Sequence, residues 1–147
     1  MGEWTDNLVT ARDAIAAIVR ECRRIAVLGM KTEAQRGEPA FYVPEYMARA
    51  GYDIVPVPVY YPDVQQILGR PVYRTVAAVP PPMDMVNVFR RPQDIPPYVP
   101  DIVVARPAVV WFQLGIAHAA AAEALARAGI RVVQDRCLLV EHRRLRS

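Results

Sequence analysis

Short apolar runs that stop abruptly at a breaker limit this chain more than any other feature. The first, Ile25-Ala26-Val27-Leu28, ends at Gly29. Four β-compatible residues closed by a glycine read as a strand buried on both faces. Similar runs recur at Asp53-Ile54-Val55-Pro56-Val57, Asp84-Met85-Val86-Asn87-Val88-Phe89, Ala108-Val109-Val110-Trp111-Phe112 and Ile130-Arg131-Val132-Val133. Continuous apolarity, without alternation, belongs to strands covered on both sides.

Helical patterns fill the gaps. Leu8, Ala11, Ile15, Ile18, Val19 and Cys22 share one face and predict an N-terminal helix over 8–22 packed on the first strand. Thr10 with Asp13 is one candidate start; Thr5 or Asp6 is another. Val43, Tyr46, Met47 and Ala50 give a second helix its apolar face, and Gly51 stops it. Ala126-Arg127-Ala128-Gly129 repeats the grammar of Ala48-Arg49-Ala50-Gly51: helix, glycine stop, apolar strand. An alanine-rich helix is predicted from about His118 to Ala128. Gly69 to Tyr73 reads as a short edge segment, Thr75 to Val79 as one helical turn, Asp101 to Ala105 as a short helix. A final helical turn carries the terminal arginines. The alternation predicts an α/β fold: a parallel sheet of about five strands with helices on both faces. All 147 residues read as one domain. Loops after the strands then converge on one sheet edge, where ligands bind in such folds.

Charge excludes one class of partner. The formal net charge is +3. Arg143, Arg144 and Arg146 against Glu141 place +2 of it in the last seven residues, leaving +1 for the rest. That is no footprint for nucleic acid. No apolar run nears the roughly 18 residues that span a bilayer. The N-terminal residues lack the basic-then-apolar order of a secretory leader. Cys22 and Cys137 are too few for a disulfide framework or zinc site. A cytoplasmic location without membrane contact is the expectation.

Lys31 is the one lysine among 18 basic side chains and stands two residues past Gly29. There it reads as a surface lysine or as a compact cation for a phosphate. Gly29 itself would let a ligand approach the backbone. Arg90 and Arg91 close the third strand and read as solvated loop arginines or as a forked phosphate clamp. Pro56-Val57-Pro58 is a stiff turn or a flat apolar wall for a base. Gln113-Leu114-Gly115 either caps a neighbouring loop or offers donors to a ligand. Cys137 reads as a partly buried structural thiol. A Gly-x-Gly-x-x-Gly fingerprint is absent, since no glycine follows Gly29 before Gly37. Neither His118 nor His142 has a nucleophile or carboxylate at a catalytic spacing, so no catalytic residue is assigned.

Six motifs in order carry a resemblance: Val27-Leu28-Gly29; Gly51-Tyr52-Asp53-Ile54-Val55-Pro56-Val57; Ile67-Leu68-Gly69-Arg70; Asp84 through Arg91; Val110-Trp111-Phe112-Gln113-Leu114-Gly115; and Asp135-Arg136-Cys137-Leu138 with Glu141-His142. The chain resembles the small stand-alone CoA-binding proteins, similar to the CoA-binding domain of the succinyl-CoA synthetase alpha subunit. The resemblance runs from about Arg24 to Leu145. It implies a Rossmann-like sheet that binds coenzyme A or an acyl-CoA without a catalytic domain. It further implies phosphate contacts at Gly29, Met30 and Lys31, helped by Arg36, and a nucleotide lined by Pro56, Val57, Phe89, Arg90 and Arg91. Pro58-Val59 stands where the family usually has Asn-Pro, and Met30-Lys31-Thr32-Glu33 where it has a Ser-Pro-Lys-Pro flavour. Two other roles fit the same resemblance: a non-catalytic component of an acyl-CoA ligase or transferase, and a regulatory protein-interaction module. A homo-oligomer or an enzyme partner is compatible with all three.

Overall fold

A computed structural model describes residues 3–146. Five parallel strands form one sheet: β1 Arg24–Leu28, β2 Asp53–Val57, β5 Met85–Val88, β6 Val109–Gln113 and β7 Arg131–Arg136. Their order is β2-β1-β5-β6-β7. Two further strands, β3 Gln66–Ile67 and β4 Arg70–Pro71, make a small antiparallel hairpin. This hairpin takes the place of the edge segment predicted at 69–73.

Successive side chains in a strand point to opposite faces, and here both faces are apolar. Ile25, Val27, Ile54, Met85, Val109, Trp111 and Val133 meet helices α1 Arg12–Glu21, α2 Pro39–Arg49 and α5 Leu138–Leu145. Ala26, Leu28, Val55, Val57, Val86, Val88, Val110, Phe112 and Val132 meet α3 Val99–Ala105 and α4 Ala119–Arg127. The architecture is therefore the Rossmann-like α/β sandwich the sequence implies. No helix among the described residues is long and apolar enough to cross a membrane.

Several local expectations are corrected. The first helix begins at Arg12 rather than Leu8. Leu8 instead forms a parallel bridge with Val132, and the Val9 amide donates to the Val132 carbonyl at 2.8 Å. The N-cap is Ala11 without a side-chain bond, so Thr10 caps nothing, while Thr5 and Asp6 lie in a separate 3-10 turn, Trp4–Asn7. Pro39 opens α2 at its first position, where a missing N–H costs nothing. Thr75 to Val79 forms turns and no helix. The last helix has eight residues, longer than the single turn predicted.

The sheet's N-terminal end is tied by ionic bonds. Asp84 Oδ2 accepts from the Arg23 and Arg24 amides, both at 2.9 Å. Arg24 Nε lies 3.2 Å from Asp53 and Arg70 Nη2 lies 2.5 Å from it.

Candidate functional site

The strand order reverses at β1. One crossover leaves it through α2 to β2; the chain then returns to its other side as β5. Loops after β1 and β5 diverge at such a point and open a crevice. Here a cleft of about 360 Å³ lies among the loops after β1, β5 and β6. That volume is within the usual range for small-molecule sites.

One wall is cationic. Lys31, Arg90 and Arg91 border the cleft together with the start of α2 at Glu38, Pro39 and Ala40. Pro39 has no N–H, and the Phe41 and Tyr42 amides donate to the Glu38 carbonyl. Ala40 is left with the open donor of this helical turn, at the positive end of the helix dipole. Lys31 Nζ is ion-paired with Glu38. The Arg90 guanidinium lies 5.4 Å from the Tyr60 ring centroid and 5.6 Å from that of Tyr98. Its Nη2 is 3.7 Å from Asp94, which also binds Arg91 Nε at 2.9 Å. The hydrogen bond from Arg90 to the Tyr60 hydroxyl holds that phenol below its ordinary value. Arg90 Nε is buried with no partner.

The other wall is uncharged. Gln113, Leu114, Gly115, Ile116 and Pro92 border it. Leu114 is 64% exposed at the rim. Its loop is fastened to β7: the Gly115 amide donates to Asp135 Oδ1 at 2.7 Å and the His118 amide to Gln134 Oε1 at 2.8 Å.

Of the residues the resemblance pointed to, Lys31, Phe89, Arg90 and Arg91 meet at this cleft. Gly29 sits just beneath. It donates its amide to the Val57 carbonyl at 2.9 Å, so that amide is not open to a ligand. The Lys31 and Thr32 amides are also committed, to Ala40 O and Gln35 Oε1. Met30 is fully buried in the core below α2. Arg36 stands away from the cleft, 5.8 Å from the Phe41 ring centroid and 3.9 Å from Glu45. Pro56 and Val57 are buried in β2 and border no part of the cleft. Glu38, Pro39 and Ala40 had not been singled out. For the helix start at Pro39 and Ala40 the signal was a proline two residues past a glycine.

Groups that might suggest chemistry have structural duties instead. His118 caps α4, its Nδ1 accepting from the Ala121 amide at 3.0 Å. His142 pairs with the Tyr46 hydroxyl at 2.8 Å, between α5 and α2. Burial pushes the Cys22 thiol up to about 11, and it lies beside β1 at the opposite end of the sheet. Cys137 is half-buried, the environment expected for it. The described residues include no cluster of three metal-ligating side chains.

Comparison with known proteins identifies the family and the fold. The chain is 31% identical to uncharacterized protein YneT of Bacillus subtilis over 128 residues, 87% of this chain and 91% of the relative. A solved Thermus thermophilus structure, cell-free ID.343, superposes with a TM-score of 0.84 at 36% identity, covering 92% of this chain and 99% of that one. A hypothetical protein from Pyrococcus horikoshii OT3 gives 0.83 at 29% identity, covering 94% of each chain. Residues 23–143 match the CoA binding domain family, and the chain belongs to that family.

Proposed function

We propose that this protein binds coenzyme A or an acyl-CoA in the cleft between the β1, β5 and β6 loops, and that it contributes no catalytic residue of its own. One observation carries the reading. The cleft is split into a cationic wall at a helix N-terminus and an uncharged wall of apolar and amide groups. CoA is divided the same way, into a phosphorylated nucleotide and a neutral pantetheine arm. Lys31 and the Ala40 amide suit the diphosphate, because a helix N-terminus with an ammonium beside it is a ready anion site. Arg90 and Arg91 suit the 3′-phosphate, where a forked guanidinium gives two parallel bonds. Met30 belongs to the core beneath, and Arg36, Pro56 and Val57 take no part in the cleft. Phe89 borders an open cleft without filling it, which favours ligand binding over a degenerate pocket used for protein contacts.

Glu38 gives the reading its cost. Its carboxylate holds Lys31 in the absence of ligand, so a phosphate has to displace it. Half-exposed ion pairs are worth about 0.2–1 kcal/mol, and a charge-assisted bond to phosphate about 1.5–3 kcal/mol. The exchange favours the phosphate where the diphosphate adds the open Ala40 amide at the helix start to its bond with Lys31. Calorimetric titration with CoA tests the proposal: saturable binding, weakened about tenfold in Lys31→Ala, is expected. No heat of binding to the unmutated protein at millimolar CoA would remove it.

A further inference from the structure

Two side-chain amides are buried where β5 and β6 run out, among residues that are otherwise apolar. Asn87 is 1% exposed and Gln113 is 3% exposed. Asn87 pairs with Trp111 across the two strands, and Gln113 follows two residues later on the same face. Asn87 Nδ2 donates to the Trp111 carbonyl at 3.3 Å and to Gln113 Oε1 at 3.4 Å. The Leu138 amide, at the start of α5, also donates to Gln113 Oε1 at 3.4 Å.

This network fixes which end of each amide is which, because oxygen must face the donors and nitrogen the acceptors. Two consequences follow. Gln113 has its oxygen anchored in the protein, and its Nε2 donates to no described residue. Asn87 keeps a fully buried Oδ1 with no partner. A buried polar atom left unpaired costs about 1–3 kcal/mol. Such an atom calls for an explanation, and here it stands behind the one side-chain amide that reaches the cleft. Gln113 borders the cleft, on its uncharged wall beside Leu114 and Ile116.

We infer that Gln113 reads an amide of the bound ligand, donating from Nε2 to a ligand carbonyl on the β6 side of the cleft, with Asn87 as the positioning residue that holds the Gln113 amide in that orientation. The inference rests on the CoA reading, in which the pantetheine arm supplies secondary amides. A secondary amide carries the partner that Gln113 Nε2 lacks, a carbonyl; Asn87 Oδ1 is buried behind Gln113 and away from the cleft lining. Exposed Leu114 and half-buried Ile116 would cover the arm's methylenes. The phosphates would meet the opposite wall, so the ligand's direction in the cleft is set. A ligand without an amide arm would leave Gln113 Nε2 unanswered.

The test compares CoA with 3′,5′-ADP, which keeps nucleotide phosphates and lacks the arm. Titrations use the full chain and two variants: Gln113→Glu, which keeps the acceptor for Leu138 and removes the donor, and the uncharged Gln113→Met. The expected result is a loss of about tenfold in CoA affinity relative to 3′,5′-ADP in both variants. Equal changes for the two ligands, or no change, would overturn the inference. Should neither variant fold, the side-chain NH2 resonances of Gln113 in the unmutated protein give the answer. CoA should shift them and 3′,5′-ADP should not; resonances indifferent to bound CoA would overturn it. Binding of CoA without a Gln113 response defeats this inference alone, whereas an unmutated protein that binds neither ligand defeats the CoA reading and this inference with it.

Discussion

A β-carbon placed on residue 29 would lie 2.3 Å from the carbonyl oxygen of Phe89. Gly29 also has a φ of +85°, which side chains rarely adopt. Both facts concern the crossing of two loops and neither requires a ligand. The glycine lets the chain after β1 pass against the chain after β5, and that crossing builds the cleft floor. Gly29→Ala therefore combines left-handed strain with a backbone clash that no flexible side chain absorbs. A loss of about 2–4 kcal/mol is expected, read from urea unfolding at constant slope. A loss below about 1 kcal/mol would mean that the loops move apart without cost.

Asp84 performs the matching task at the far end of the sheet. One carboxylate oxygen takes the Arg23 and Arg24 amides and so fixes where β1 begins beside β5. Charge-assisted bonds of this kind are worth about 1.5–3 kcal/mol each when one partner is removed, less where solvent reaches them. Asp84→Ala should cost about 2 kcal/mol in chemical unfolding. Ligand affinity should be unaffected, because the cleft is at the other end of the strands.

Acid should weaken the contact between α2 and α5 through His142. The ring Nδ1 shares a hydrogen bond with the Tyr46 hydroxyl, and Tyr52 packs edge-on against the ring. Burial, and then the nearby Arg146 charge, hold the imidazole below its ordinary value of about 6.5. The unfolded chain thus binds a proton more readily than the folded one, so stability rises with pH across this range. The contribution is complete above about 6.5 and is lost as pH falls through the lowered folded value. Thermal unfolding between pH 7.5 and 5 should show a steeper decline in the unmutated protein than in His142→Gln. Parallel curves would show that the proton is not taken up there.

The strands were legible because a strand buried on both faces has no choice but to be apolar throughout. Val27, Val55, Val86 and Val110 announce themselves in this way, and the glycine stops fixed the helix ends before β2 and β7. Leu8 misled because its spacing fits the α1 face equally well; pairing with Val132 was a tertiary choice invisible in local periodicity. The last helix was underestimated because exposed Val140 and the charged Arg143 and Arg144 blur the apolar face of Leu138, Leu139 and Leu145. At the site, Lys31, Arg90 and Arg91 stood out by their position after strands, and Phe89 was pointed to by the family resemblance. Pro56 and Val57 were not separable from them by sequence, since burial within β2 depends on the hairpin and the turn that cover it. Gln113 was noticed as a strand end, but its orphaned neighbour Asn87 reads as an ordinary strand residue until the register of β5 against β6 is known. Glu38 had no sequence signal as a site residue, because nothing local says that a carboxylate will reach Lys31.

The central claim is that CoA lies across the β1, β5 and β6 loops with its phosphates at the start of α2. Diffraction from crystals grown with saturating CoA tests this most directly. The account predicts the diphosphate against Lys31 and the Ala40 amide, with Glu38 displaced from the lysine. It is contradicted by CoA bound elsewhere, for instance in the apolar groove of Pro96, Pro100, Ala120 and Ala124 between α3 and α4, with the Lys31–Glu38 pair intact.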